Sequence, residues 1–134
     1  MAQSYITETR YGKIKVSRNA VARAAVDSLE DIRDVVFLCN HRGKLIKKGT
    51  DAELTAVDVD AFEGDLRIKV NVIMKFGVSI TVTADKIADR VQKALRLTLG
   101  RGPSSVSVVV KGVRSKNVAA RDIVIKREMG VQER

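Results

Sequence analysis

The sequence contains few cysteine, histidine or aromatic residues. Among its 134 residues are one cysteine, one histidine and no tryptophan, and aromatic residues amount to 4%. A single cysteine cannot form an internal disulfide, which is typical of a reducing compartment. No apolar run is long enough to span a bilayer, and the first residues lack the apolar segment of a secretory signal. These absences predict a single-domain cytoplasmic protein.

Basic residues exceed acidic ones, and the excess lies in two regions. The chain has 25 Lys and Arg against 16 Asp and Glu, a formal net charge of +9. Residues 1–50 and 101–134 are basic, whereas residues 51–100 are nearly balanced. No run of five like charges occurs, so the chain lacks the concentrated block of a nucleic-acid-binding arm. A solvated basic surface is the simplest interpretation, and binding to a polyanion or an anionic membrane is the alternative.

Hydrophobic periodicity predicts strands alternating with helices. The predicted strands span residues 13–16, 35–39, 57–61, 66–76 and 106–110, and the predicted helices span about 18–33 and 80–99. Ser17 is the expected N-cap of the first helix, and Thr81 or Thr83 that of the second. Gly100 stands where a left-handed C-cap would end the second helix. Residues 63–65 are the expected turn of a hairpin, and residues 40–53 a loop.

This order predicts an α+β fold. The expected architecture is a two-layer sandwich, with one mixed sheet of four to five strands and two helices on one face. Residues 1–114 form the predicted domain, and residues 115–134 a C-terminal extension that is an edge strand, a helix or disordered. The opposite sheet face is expected to be polar, with Ile73 and Val109 also pointing outward. Its predicted polar residues are Lys13, Lys15, Asp58, Asp60, Arg67, Lys69, Lys75, Ser107 and Lys111.

Residues suited to catalysis are sparse. Cys39 and His41 lie two residues apart, but a metal site needs further soft ligands, and neighbours on one strand rarely form a nucleophile–base pair. We therefore expect Cys39 to pack as a small hydrophobic residue. The carboxylate pairs 58/60 and 85/89 have the pattern of ordinary solvated surface. The sequence predicts no enzyme activity, no cofactor and no metal.

Motifs for binding phosphate or bases are also lacking. The glycine-rich residues 100–103 follow a helix and precede a strand, whereas a phosphate loop requires the reverse order. Arg67, Lys69 and Asn71 stand where RNA-recognition modules carry stacking aromatics, and no glycine pair forms the GXXG loop of KH domains. Contact with phosphates by lysines remains open, but no apparatus for sequence-specific recognition is visible.

Two stretches match the motifs of a known family. The first is Gly12-Lys13-Ile14-Lys15-Val16-Ser17 followed by an Ala/Val-rich helix. The second runs from VNVIMKFGVSI at residues 70–80, through a helix with Val91-Gln92-Lys93, to Thr98-Leu99-Gly100 and the strand VSVVV. Over about residues 10–113, the chain resembles the alkaline shock, or envelope stress response, family of mainly Gram-positive bacteria. It differs in having Thr81 where the family usually has proline, and in being basic where many members are acidic.

The resemblance implies a non-enzymatic cytoplasmic protein linked to cell-envelope stress. Some members of the family lie at the membrane through a membrane-anchored partner, and some self-associate. The leading hypothesis is therefore a scaffold that binds protein partners through the open sheet face and the C-terminal tail. The alternative is a non-specific nucleic-acid or anionic-lipid binding module. The candidate contact residues for either function are Lys13, Lys15, Arg67, Lys69, Ile73, Lys75, Val109 and Lys111. A third hypothesis, an enzyme using Cys39 and His41, lacks a third catalytic group.

Overall fold

The computed structural model describes residues 4–62 and 65–115, and the side chains of residues 10–61 and 65–115. Within these ranges lie six strands, two α-helices and two short 3-10 turns. The strands are β1 Ser4–Thr9, β2 Gly12–Ser17, β3 Val36–Leu38, β4 Val57–Phe62, β5 Asp65–Lys75 and β6 Ser105–Arg114; the helices are α1 Arg18–Asp27 and α2 Ile80–Leu99; the 3-10 turns are Glu30–Ile32 and Asp51–Ala56.

The main sheet is built around β5. Strand β6 runs parallel to β5 along residues 67–75, and β3 and β4 are antiparallel to it. Because β6 occupies one edge of β5 over this length, β3 and β4 share the other edge, end to end. Strand β4 pairs with residues 65–70 of β5, and β3 with residues 72–74. The result is a four-stranded mixed sheet, as predicted.

Both helices pack on one face of this sheet. The alternate residues 66, 68, 70, 72 and 74 of β5 are buried against them in the core. Helix α1 contributes Val21, Ala22 and Ala25, and α2 contributes Ile87, Val91 and Leu95 among others. The small alanine side chains let α1 approach the sheet closely. The two-layer α+β prediction is confirmed, including the placement of both helices on one side.

The first strand pair is a separate two-stranded sheet. Strands β1 and β2 are antiparallel and are joined by the two-residue turn Arg10-Tyr11. No element was predicted before residue 13, so β1 was missed. The predicted strand 13–16 is present as β2, but it pairs with β1 rather than with the main sheet. Arg18 anchors this region to the main sheet by donating a hydrogen bond of 2.9 Å to the Val57 carbonyl.

The capping residues define where the helices begin and end. Ser17 is the N-cap of α1, as predicted, and its Oγ accepts a hydrogen bond from Ala20 N at 3.1 Å. Helix α1 ends at Asp27 rather than at residue 33, because the Ser28 hydroxyl bonds to the Ala25 carbonyl and the chain turns there. For α2 the predicted caps were wrong, because the N-cap is Ser79. Gly100 ends α2 with a φ of 84°, as predicted.

Parts of the sequence predictions lie outside the described residues. These are residues 63 and 64 of the predicted turn and residues 116–134 of the C-terminal extension. The division into a domain and an extension stays a prediction. Within the described ranges, neither helix combines the length and the apolar character that crossing a bilayer requires.

Candidate interaction surface

The candidate site is the sheet face that points away from the helices, here called the outer face. Its residues on β5 are the odd-numbered ones from 67 to 75, since alternate residues of a strand point to opposite faces. At the start of β5, Arg67 is directly opposite Asp60, and Lys69 is directly opposite Asp58. Opposite charges in such cross-strand pairs offset each other. This half of the outer face therefore has little net charge.

The middle of the outer face is buried. Ile73 is 1% exposed and Val109 is 9% exposed. Cys39 and Asn71 are also buried there, and the Cys39 amide bonds to the Asn71 carbonyl at 3.2 Å. The apolar residues among them, Cys39, Ile73 and Val109, are not part of the core between the helices and the sheet. They form a second, smaller cluster on the face that was predicted to be open.

The side chain of Arg114 covers part of this cluster. Phe37 lies on β3 and Arg114 on β6, on opposite sides of β5. The guanidinium carbon of Arg114 is 5.5 Å from the centroid of the Phe37 ring. The Arg114 side chain must therefore cross β5 on the outer face, where Ile73 is the register partner of Phe37. Its aliphatic stem covers apolar surface while its charged group contacts the ring.

The loop that follows β3 covers a second part of the same cluster. The residues from Asn40 to Lys44 form a tight turn, in which the Asn40 side-chain oxygen accepts hydrogen bonds from Arg42 N at 2.8 Å and Lys44 N at 3.0 Å. A Cβ at Gly43 would lie 3.6 Å from Lys111 Cβ, so the loop contacts β6. This turn, here called the cover loop, extends from the end of β3 over the outer face. Its Asx-turn geometry is reinforced by backbone hydrogen bonds from Gly43 N to the Asn40 carbonyl at 2.9 Å and from Asn40 N to the Lys44 carbonyl at 3.0 Å.

The buried side chain of Asn71 connects β5 to the 3-10 turn that precedes β4. Its side-chain amide donates to the Ala56 carbonyl at 3.2 Å and lies 3.5 Å from Asp58 Oδ2. Because Ala56 ends a 3-10 turn, this contact fixes the turn to the centre of the sheet. The alternation of β5 placed Asn71 on the polar face but gave no sign of this role.

The end of the outer face beyond Ile73 is strongly basic. Lys75 is in register with Arg114, and the extra residue of the β-bulge in β6 is Lys111. The cover loop adds the exposed residues Arg42 and Lys44. These five cations, here called the cationic end, lie away from Asp58 and Asp60. Like charges side by side on a sheet repel each other.

Several of the ion pairs that the structure describes lie on the helical side of the molecule. Arg90 contacts Asp31 at 2.6 Å, and Lys48 contacts Glu30 at 3.1 Å. Glu53 is paired with Arg33 and lies 4.0 Å from an Arg23 nitrogen. These contacts offset part of the basic charge on the helical side.

The structure separates the eight predicted contact residues into three groups. Lys13 and Lys15 lie on the separate hairpin, so their placement on the main sheet face was wrong. Ile73 and Val109 lie on the predicted face, but both are buried, so the expectation that they are exposed among charges was wrong. Arg67, Lys69, Lys75 and Lys111 lie on the outer face as expected. That any of these residues contacts a partner stays a prediction.

The one cysteine lies in the outer-face cluster. Burial raises the pKa of the Cys39 thiol to about 12, despite the opposing effect of the nearby Lys111 charge. His41 is exposed in the cover loop. The interpretation of Cys39 as a packed hydrophobic residue is confirmed by its burial. In the part of the chain that the structure describes, no three His, Cys, Asp or Glu side chains are arranged to hold a metal ion.

We expect Cys39 to resist alkylation in the folded protein. Raising the thiol pKa from 9.0 to about 12 lowers the thiolate fraction at pH 8 by roughly three orders of magnitude. Iodoacetamide labelling, followed by mass spectrometry at pH 8 with and without urea, measures this protection. Labelling should be slow in buffer and rapid in urea. Equal rates in both conditions would show that the cover loop leaves the thiol accessible.

Comparison with known proteins gives the chain a family. The sequence model of the alkaline shock protein 23 family, described by its cell envelope-related function, matches residues 6–115. The uncharacterized protein YloU of Bacillus subtilis (strain 168) is 26% identical over 115 residues, which cover 81% of this chain and 94% of YloU. No solved structure matches. The matched range contains nearly every described element, from β1 to the end of β6. As the resemblance to alkaline shock proteins predicted, the chain belongs to this family, whose function is related to the cell envelope.

Proposed function

We propose that this protein is a non-enzymatic scaffold of the cell-envelope stress response, which acts through contacts with other proteins near the membrane. The family supports the envelope part of this proposal. The chemistry of the described residues supports the non-enzymatic part, since Cys39 is buried with a raised pKa and His41 lies outside on a loop. A nucleophile needs a base within hydrogen-bond reach and a group that orients that base.

The observation that carries the scaffold proposal is a groove along the exposed side of α2. It has a volume of about 400 Å³ and is lined by Val82, Asp85, Lys86, Ala88, Asp89 and Gln92. Val82 is an exposed apolar residue that the core does not use. The exposed apolar side chain of Val82 is therefore surrounded by charges of both signs, from Asp85, Lys86 and Asp89. The groove suits a protein segment with an apolar side chain at its centre and charged residues on either side.

The α2 groove replaces the outer face as the proposed protein contact. The sequence hypothesis relied on Ile73 and Val109 as apolar contact residues, but both are covered. An interface is stabilised mainly by a desolvated apolar centre, which the outer face does not offer. On α2 the exposed side chain of Val82 can supply such a centre, whereas Ala88 packs against the core.

Photo-cross-linking in cells tests this proposal. A photoreactive amino acid at Gln92, in the groove, should give covalent adducts with other proteins. The same residue at Lys69, on the exposed outer face, is the matched control and should give none. Adducts from the Lys69 position alone would mean that partner proteins contact the sheet and not α2. The absence of adducts from both positions would contradict the proposal that the protein is a scaffold.

A substitution pair sharpens the same experiment. Val82→Lys replaces the exposed apolar side chain of the groove with a charge and should reduce the Gln92 adducts at least several-fold. Thr81→Lys adds the same charge at the neighbouring exposed position outside the groove and should leave them unchanged. An equal reduction by both variants would mean that overall charge, and not the groove, controls the contact.

A further inference from the structure

We propose that residues 121–128 of this chain occupy the α2 groove, so that a protein partner must displace them in order to bind. The inference rests on the proposed function in one respect, because it concerns access to the same contact site. The family model matches residues 6–115, so this segment lies beyond the part that the family accounts for. Residues 116–134 lie outside the described part of the chain, but the structure gives the position of β6, from which they continue.

The first support is the sequence of the segment. Residues 121–128 read RDIVIKRE, in which three consecutive apolar residues stand between charged residues. Within residues 116–134, isoleucine occurs only at positions 123 and 125. The groove suits a segment of this kind, because its exposed apolar side chain, Val82, is surrounded by charged side chains.

The second support is the charge of the two surfaces. Two carboxylates, Asp85 and Asp89, line the groove against one cation, Lys86. Residues 121–128 carry three cations and two carboxylates, so the small excess has the opposite sign. An interface in which such charges face each other favours this pairing over other segments of similar hydrophobicity.

Both carboxylates of the groove are able to accept a further cation. None of the residues that the structure describes forms an ion pair with Asp85. Asp89 contacts Lys93 at 3.2 Å, but both side chains of this pair are exposed. Because solvent screens such a pair, it contributes little and does not keep Asp89 from a second contact.

The third support is the place where β6 ends. Strand β6 runs parallel to β5, and Phe76 N donates a hydrogen bond of 2.8 Å to the Arg114 carbonyl. The turn after β5 leads directly to Ser79, the N-cap of α2. The chain therefore continues from β6 beside the N-terminal end of α2, and the groove lies along the N-terminal part of that helix.

The residues between β6 and the segment are long enough to reach the groove. From Phe76 to Ser79 the chain covers at most about 11 Å, and Val82 follows after one further helical turn, about 5 Å along the axis. The chain from Ser115 to Arg121 spans up to about 20 Å when extended. Residues 121–128 are therefore within reach of Val82.

This short connection favours the segment of the same chain over any free competitor. A ligand that is joined to its site by a few residues is present at an effective concentration of the order of millimolar. Even a weak contact then keeps the groove occupied. A second copy of the chain or a protein partner at a lower concentration must bind more tightly to displace the segment. The groove is thus a contact site with its own competitor.

Photo-cross-linking of the purified full chain tests the placement of the segment. With a photoreactive amino acid at Gln92, irradiation should join the groove to a peptide from residues 121–128, which mass spectrometry identifies after digestion. The same amino acid at Lys69, on the outer face, is the control and should not give this product. A mixture of isotope-labelled and unlabelled protein should give products within one chain. Products from Lys69 alone, products only between two chains, or no product from either position would overturn the inference.

A matched pair of double variants tests the apolar centre of the segment. Ile123→Lys with Ile125→Lys should reduce the intramolecular product from Gln92 at least several-fold, because it places two charges against Val82. Val118→Lys with Val131→Lys adds the same charge outside residues 121–128 and should leave the product unchanged. Equal reductions by both double variants would contradict recognition of this segment.

Charge reversal tests the complementarity. Asp85→Lys with Asp89→Lys should reduce the intramolecular product, because the cations of the segment then meet cations in the groove. Adding Lys126→Glu with Arg127→Glu should restore part of the product, since opposite charges again face each other. A further loss in the fourfold variant would contradict the proposed placement.

Adducts in cells keep this inference distinct from the proposed function. If the segment competes with partners, Ile123→Lys with Ile125→Lys should raise the Gln92 adducts with other proteins several-fold. Adducts that are present but do not change with this variant would leave the scaffold standing and overturn the competition. The absence of adducts even from this variant, with the intramolecular product present in the purified protein, would support the placement of the segment and contradict the scaffold.

Discussion

Replacing Glu53 with alanine is expected to lower the free energy of unfolding by about 3–5 kcal/mol. The Glu53 side chain is 3% exposed and accepts a hydrogen bond from Arg33, whose side chain is 7% exposed. Arg23 lies 4.0 Å away on the other carboxylate oxygen. Removing the carboxylate leaves the Arg33 guanidinium buried without its counter-charge, and that is more costly than the loss of one contact. Urea unfolding followed by circular dichroism measures the change.

Asp51→Ala is the control for the Glu53 variant. Asp51 also pairs with Arg23, at 3.4 Å, but its side chain is fully exposed. Solvent screens such a pair, so the unfolding midpoint should not change measurably. A loss for Glu53→Ala below about 1 kcal/mol would mean that Arg33 finds water or another partner when the carboxylate is removed.

Replacing Ile73 with alanine is the second substitution with a large expected effect. Truncation of a buried isoleucine typically lowers the free energy of unfolding by about 2–5 kcal/mol, because it removes apolar contacts and leaves a cavity. Ile73 should behave in this way, since Arg114 and the cover loop shield it. The same urea experiment gives the value.

Ile14→Ala provides the comparison, because Ile14 is an exposed strand isoleucine on the separate hairpin. Its loss should stay below about 1 kcal/mol. Similar small losses at both positions would mean that the outer face is open in solution, as the sequence pattern predicts. A large loss at Ile73 alone would support a covered outer face.

The main elements of the fold could be predicted because their signals are local. Strand β5 alternates apolar and polar residues over most of its length, and α2 repeats apolar residues at helical spacing up to the C-cap at Gly100. The predicted C-terminal end of α2 agrees with the structure, whereas the candidate caps Thr81 and Thr83 lie after its true N-cap, Ser79. The bounds of α1 were less accurate because Leu29 and Ile32 keep the helical spacing and are buried, although the helix has already ended.

The exposure of the outer face could not be predicted from the sequence. A period of two places Ile73 and Val109 on the correct face, but it does not show whether another segment covers that face. The cover depends on Arg114, which lies far from Ile73 in sequence, and on a loop whose path is fixed by Asn40. Both contacts are non-local, and neither has a periodic signal.

The cationic end was only partly visible in the sequence for a similar reason. Lys75 and Lys111 were among the predicted contact residues, whereas Arg42 and Lys44 lie in the predicted loop of residues 40–53. The bulge at Lys111 and the contact at Gly43 bring these groups together. A register shift of one residue cannot be read from alternation alone. The local charge balance along the chain therefore does not show which basic residues the fold brings together.

The central claim is that the protein acts through its contact surfaces and not through a catalytic centre. Complementation of a strain that lacks the gene tests this claim most directly. Growth under cell-envelope stress would be compared for wild type, for the Cys39→Ala/His41→Ala double variant and for Val82→Lys, with equal protein levels checked by immunoblotting. We predict that the double variant grows like wild type and that Val82→Lys fails to restore growth. Failure of the folded double variant together with full growth of Val82→Lys would contradict the claim and place the function at the buried thiol and its loop.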